Sequence, residues 1–141
     1  MKAPSDSPTM KEFMDNLNPV NAIADASPGF IWRLQDENGN ATGIKPFDDP
    51  LVLVNMSVWT DMDSLKNYML RTGHVDFLKR RYEWFEKMSG PNHVMWWVDN
   101  DHTPTLFEAK EKLNYLMKFG DTPDAFSMRR PYSSDDYQRN R

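Results

Sequence analysis

The apolar residues of this 141-residue chain change their spacing several times, and the order of these spacings limits the fold. Apolar residues at every third or fourth position predict helices, whereas alternating or continuous apolar residues predict strands. From the N-terminus, the patterns predict a helix, a hairpin, a strand, two helices, a strand, a helix and a final strand. This order is typical of an α+β fold with a mainly antiparallel sheet and helices on one of its faces.

Capping residues and breakers give the expected helix limits. Thr9 is the predicted N-cap of the first helix, and Pro19 predicts a kink or a break within it because proline removes an intrahelical hydrogen bond. For the last long helix, Thr103-Pro104 is the predicted start and Gly120 the predicted stop. The predicted strands cover residues 30–35, 41–47, 51–59, 93–98 and 125–128, and an Asn-Gly turn joins the first two as a hairpin.

Composition excludes several classes of protein. The chain has no cysteine, which rules out disulfides and thiolate-bound metals and suits a reducing compartment, so we expect a cytoplasmic protein. A net charge of −4 argues against nucleic acid as a partner. The longest apolar run, residues 94–98, is far shorter than the roughly 20 residues of a membrane helix, so we expect no membrane partner.

Several segments resemble one bacterial family, which is known as domain of unknown function 3291. The resemblance is carried by Asn21-Ala22-Ile23-Ala24, by residues 27–35, 47–59 and 74–85, and by Trp96-Trp97-Val98 with Pro104-Thr105, Glu108-Ala109 and Phe126. It implies a ferredoxin-like dimeric α+β barrel, the architecture of antibiotic-biosynthesis-type monooxygenases, haem-degrading monooxygenases and chlorite-dismutase-like proteins. The implied partner is a second copy of the chain.

The resemblance also sets the expected domain limits. We expect one barrel domain over residues 1–132 and a polar C-terminal tail over residues 133–141. Related chains usually carry a further strand before Ala3-Pro4, which is apparently absent here: either the start codon was placed late or the sheet lacks this edge. A sheet without it would expose unpaired backbone groups unless a partner covered them.

One predicted helix carries the candidate catalytic residues. Helical spacing places His74, Arg81 and Tyr82 on one face with Phe77 and Phe85, so that polar groups would enter a cavity with apolar walls. There His74 would be a general base or a haem ligand, and Arg81 would bind an anion. The alternative is structural: His74 is bonded to a turn at the helix start and Arg81 pairs with a surface carboxylate.

The candidate substrate-binding residues are aromatic and amide side chains of the predicted strands. Trp32, Asn55 and Trp59 resemble the residue types of cofactor-independent oxygenases, in which an apolar pocket binds an aromatic substrate, although a tryptophan or asparagine of a strand is more often structural. Phe77 and Phe85 would complete such a pocket. We therefore expect a small-molecule-binding dimer, monooxygenase-like on an apolar or aromatic substrate. The alternatives are a non-catalytic ligand-binding or structural dimer and a haem-binding enzyme, so the cofactor is either haem or none.

Overall fold

The computed structural model describes residues 1–4, 6–35, 54–71, 79–85 and 93–139. The chain divides into two compact units, Met1–Lys87 and Met88–Arg141. It is an α+β protein whose described strands form a two-stranded antiparallel sheet. The predicted return arm 41–47 and the predicted site residues His74 and Phe77 lie outside the described residues. The single domain expected over residues 1–132 stays a prediction.

The first unit begins with a 3-10 turn, Pro8–Met10, that leads directly into helix α1, Lys11–Ala26. The prediction that Thr9 caps this helix is wrong, because Pro8 already starts the turn and Met10 occupies the cap position. Met10 is buried and anchors the helix start. The helix runs through Pro19 without a break, and this proline lies on the exposed face.

Strand β1, Phe30–Arg33, pairs antiparallel with strand β2, Ser57–Trp59. The register joins Phe30 to Trp59, Trp32 to Val58, and Arg33 to Ser57, with a shift between Phe30 and Trp32. Ile31 is therefore the extra residue of a bulge. Since successive side chains of a strand alternate in direction, Trp32 and Val58 share the face opposite to Trp59.

Helix α2, Met62–Arg71, follows β2 directly. The Asp61 carboxylate accepts a hydrogen bond from the Ser64 amide at 2.7 Å and so supplies the N-terminal cap. Gly29, at the end of the turn after α1, has φ +83° and lies against the start of α2. A second 3-10 turn, Arg81–Glu83, belongs to the same unit.

In the second unit, helix α3, Leu106–Phe119, is capped by Thr105, whose hydroxyl accepts a hydrogen bond from the Glu108 amide. The predicted start at Thr103 was therefore two residues early, because it is Thr105 that has the extended backbone and the oxygen within reach of the first turn. The predicted stop is confirmed: Gly120 has φ +74°. A short helix α4, Ser134–Arg139, lies within the segment predicted as a polar tail.

The two strands predicted for the second unit meet in a single antiparallel bridge. Met95 and Phe126 exchange both backbone hydrogen bonds, at 2.7 and 2.9 Å. Phe126, Ala125 and Leu116 are buried and form the core of this unit. Every helix in the described part of the chain is too short or too polar to span a bilayer.

Candidate functional site

The helix-covered face of the small sheet carries an aromatic cluster. The Trp59 ring stacks on Tyr68 of α2 with centroids 5.1 Å apart, and the Phe30 ring meets Trp59 edge-on at 5.5 Å. The Trp59 indole N–H donates to the Ser57 hydroxyl at 2.9 Å. The predicted site residue Trp59 thus has its ring covered on this face, which is the arrangement of a packed core.

An ion pair lies beside this cluster. The Arg33 guanidinium of β1 donates two hydrogen bonds to the Asp25 carboxylate of α1, at 2.8 and 3.3 Å. Burial raises the pKa of Tyr68 to about 12, an effect that Arg33 opposes and Asp25 reinforces. The Tyr68 hydroxyl donates to the Val20 carbonyl at 3.4 Å, so this phenol is held in its neutral form.

The ionisation of Tyr68 gives a direct check of this packing. Its pKa of about 12 in the folded protein exceeds its ordinary value of 10.0. The stability contributed by the neutral phenol is therefore complete below pH 10.0 and is lost as the pH rises towards about 12. Subtracting the tyrosinate absorbance of Tyr68→Phe from that of the natural protein should leave one component with its midpoint at about 12. A component with its midpoint at 10.0 would show that Tyr68 is solvated.

The opposite face of the sheet is different in character. Ile31 is 55% exposed, and Trp32 and Val58 are half-buried. Asn55, two residues before β2, is exposed, but alternation along the chain groups it with Ser57 and Trp59 and not with Val58. Of the residues predicted to bind substrate, the structure thus places Trp32 on this face and Trp59 on the other.

The predicted catalytic segment is described from residue 79 to residue 85. Arg81 and Tyr82 are exposed, with the Arg81 guanidinium 4.7 Å from the centroid of the Tyr82 ring. Phe85 is half-buried and meets the Phe13 ring edge-on at 5.1 Å. The residue of this segment that is buried is Trp84, 3% exposed. The structure therefore pairs Arg81 with Tyr82 at the surface and places Phe85 among core rings.

Arg80 fixes this segment to α1. Its guanidinium donates two hydrogen bonds to Glu12, both at 2.7 Å, and two to Glu83, at 2.6 and 3.0 Å. It also lies 4.7 Å from the centroid of the Trp84 ring. Hydrogen bonds from Arg80 hold the pKa of both carboxyl groups below its usual value. Arg80 is thus a structural cation whose donors are engaged by α1 and by its own turn.

The described histidines do not fit a haem iron. The Nε2 atom of His93 accepts a hydrogen bond from the Met128 amide at 3.0 Å, and Nε2 of His102 lies 2.5 Å from a carboxylate oxygen of Glu108. The described residues also contain no group of three or more side chains able to hold a metal ion. The predicted haem ligand, His74, lies outside the described residues, so the haem-binding alternative stays a prediction.

Comparison with known proteins places the chain in a family. The family described as "Domain of unknown function (DUF3291)" matches residues 1–141. The chain belongs to this family. No curated protein and no solved structure matches this DUF3291 chain.

This DUF3291 protein also has a cluster of polar side chains, centred on Glu108, that the sequence analysis did not predict. The Glu108 carboxylate in the first turn of α3 accepts a hydrogen bond from the Trp96 indole at 2.8 Å and contacts His102 through its other oxygen. The sequence signal is the spacing Thr105-x-x-Glu108, a capping box in which the glutamate would turn back to the helix start. Here the carboxylate instead binds the side chains of Trp96 and His102, which precede the helix in sequence.

Proposed function

We propose that this protein is a homodimeric, ferredoxin-like α+β barrel that binds an apolar or aromatic small molecule on the sheet face that carries Trp32. The observation that supports this is the unequal covering of the two-stranded sheet. Side chains of α1 and α2 contact Arg33 and Trp59 on one face, whereas Ile31 on the other side is 55% exposed beside Trp32 and Val58. Exposed apolar groups that adjoin one another are typical of a ligand or partner surface.

The chemistry of this face favours an uncharged ligand. Small-molecule sites are mostly apolar and contain a few polar groups that orient the ligand. Trp32 offers a large ring with one N–H donor. A neutral aromatic molecule with a hydroxyl or carbonyl group fits this combination.

The reaction class that we propose for such a ligand is monooxygenase-like oxidation in the cytoplasm, as the family resemblance implies. The alternative is that the protein binds the ligand without catalysing a reaction. The catalytic roles of His74, Arg81 and Tyr82 stay predictions, since His74 lies outside the described residues and the other two are exposed. Oxygen uptake in the presence of a bound compound would separate the two functions.

Binding can be tested with naphthol, anthrone and indole, using calorimetry on the full chain. We expect at least one of them to bind, and Trp32→Ala to weaken that binding by about tenfold or more, because truncating a contacting aromatic residue removes its contact area. Leu70→Ala is the matched control, since Leu70 is a half-exposed apolar residue of α2. Equal affinities for the natural protein and the Trp32 variant would overturn the proposal.

The dimer is tested separately by the mass of the protein in solution. We propose that the two copies associate through the sheet face that carries Trp32. Ile31→Glu places a charge on this face and should reduce that association, because an unpaired charge is costly to bury. Circular dichroism of the same sample shows whether the variant is folded. A folded Ile31→Glu variant with the natural mass would contradict association through this face.

A further inference from the structure

Helix α3 has large apolar side chains on the side that faces away from its own unit. Phe107 is 72% exposed and Phe119 is 56% exposed, and Tyr115 is exposed between them. With Glu111 they follow one another at intervals of four residues, so all four lie in one row along the helix. We name this row, Phe107, Glu111, Tyr115 and Phe119, the aromatic row.

The aromatic row is symmetric about position 113. A phenylalanine stands at each end, and Glu111 and Tyr115 are equidistant from the centre. If a second α3 lies antiparallel against the first, each Phe107 meets a Phe119 and each Glu111 meets a Tyr115. This is the property of an isologous contact, in which the same patch on both copies is complementary to itself. Rows of residues four apart are also the ridges that interdigitate in the commonest class of helix packing.

The charges beside the aromatic row also favour contact with a second copy of α3. The neighbouring row of exposed residues carries Lys110 and Lys118, and the Lys118 ammonium group lies 5.1 Å from the centroid of the Phe119 ring. In an antiparallel pair, Glu111 of each copy faces this basic row of the other copy. The surface therefore attracts its own copy electrostatically as well as through its apolar side chains.

We propose that the aromatic row is a self-association surface on which α3 of a second copy packs antiparallel. This contact is separate from the sheet face of the proposed function and goes beyond it. Where the sheet contact fails, the row alone gives a dimer.

Sedimentation of the full chain tests the proposal. Phe107→Glu should reduce the mass of the assembly, to that of the monomer if the row is the sole contact between copies and to that of the dimer if the sheet contact also forms. Met117→Glu is the matched control: Met117 is 60% exposed on the opposite flank of α3, and its variant should keep the natural mass. An unchanged mass for Phe107→Glu would overturn the proposal, and so would a natural protein that is monomeric at high concentration.

A charge exchange distinguishes self-association from a general effect on folding. Glu111→Lys should weaken the association several-fold, because it sets like charges against each other in both halves of the contact. Adding Lys118→Glu to that variant should restore the natural mass. A double variant that remains as dissociated as Glu111→Lys would contradict the antiparallel arrangement. Since Ile31→Glu affects only the sheet face, its result is independent of this test.

Discussion

Replacing Trp84 with alanine is expected to lower the free energy of unfolding by about 3–5 kcal/mol, because it removes a buried aromatic side chain and leaves a cavity. The indole is 3% exposed and lies between the Phe13 ring, at 5.6 Å, and the Arg80 guanidinium, at 4.7 Å. The Trp84 carbonyl also accepts a hydrogen bond from the Lys2 amide at 2.7 Å, so the N-terminal segment depends on the same residue.

Denaturant unfolding followed by circular dichroism measures this loss. Tyr82→Ala is the matched control in the same turn: its ring is 48% exposed, and surface substitutions usually change the free energy of unfolding by no more than about 0.5 kcal/mol. If both variants unfold at the same denaturant concentration, Trp84 does not anchor this unit.

Replacing Gly29 with alanine is expected to lower the free energy of unfolding by about 2–6 kcal/mol, through backbone strain and overpacking together. Gly29 has φ +83°, which an L-residue with a side chain rarely adopts. A methyl group there would overlap the Ser64 side chain and come within 2.7 Å of the Thr60 hydroxyl. The turn between α1 and β1 can therefore lie against the start of α2 only when position 29 has no side chain.

Comparison with Gly120→Ala separates the cost of backbone strain from the cost of overpacking. Gly120 also has a positive φ, +74°, but an added methyl group would have no atom within 4 Å. The Gly120→Ala variant should therefore lose only the stability that backbone strain costs, about 1–3 kcal/mol. Thermal unfolding of the two variants gives the comparison, and equal losses would contradict the close approach of Gly29 to Ser64.

The sequence alone was sufficient for features that depend on near neighbours. The stop at Gly120 is an example, because a glycine readily adopts the positive φ that ends a helix. The start of α1 shows the limit of such signals, because Thr9 and Pro8 are both good initiators and the proline turn determines where the helix begins.

The candidate site was predicted less completely. Helical spacing grouped Arg81, Tyr82 and Phe85 on one face, but the 3-10 turn at Arg81–Glu83 changes the angle between successive side chains. As a result, Trp84 takes the buried position. Glu108 was recognised as part of the family pattern but not as the partner of Trp96 and His102, because these contacts depend on how the preceding segment folds against α3.

By itself the sequence determined the α+β class, the family and most of the helices, since spacing and caps act over a few residues. The tertiary structure decided that β1 pairs with β2 and that Trp32 and Trp59 lie on opposite faces of the sheet. It also decided that Arg80 binds Glu12, which is far from it in sequence. The bulge at Ile31 shifts the register by one residue, and such a shift reverses the face of the side chains beyond it. Contacts between distant segments set that register, so no local pattern could reveal which aromatic side chains lie on the helix-covered face and which lie on the opposite face.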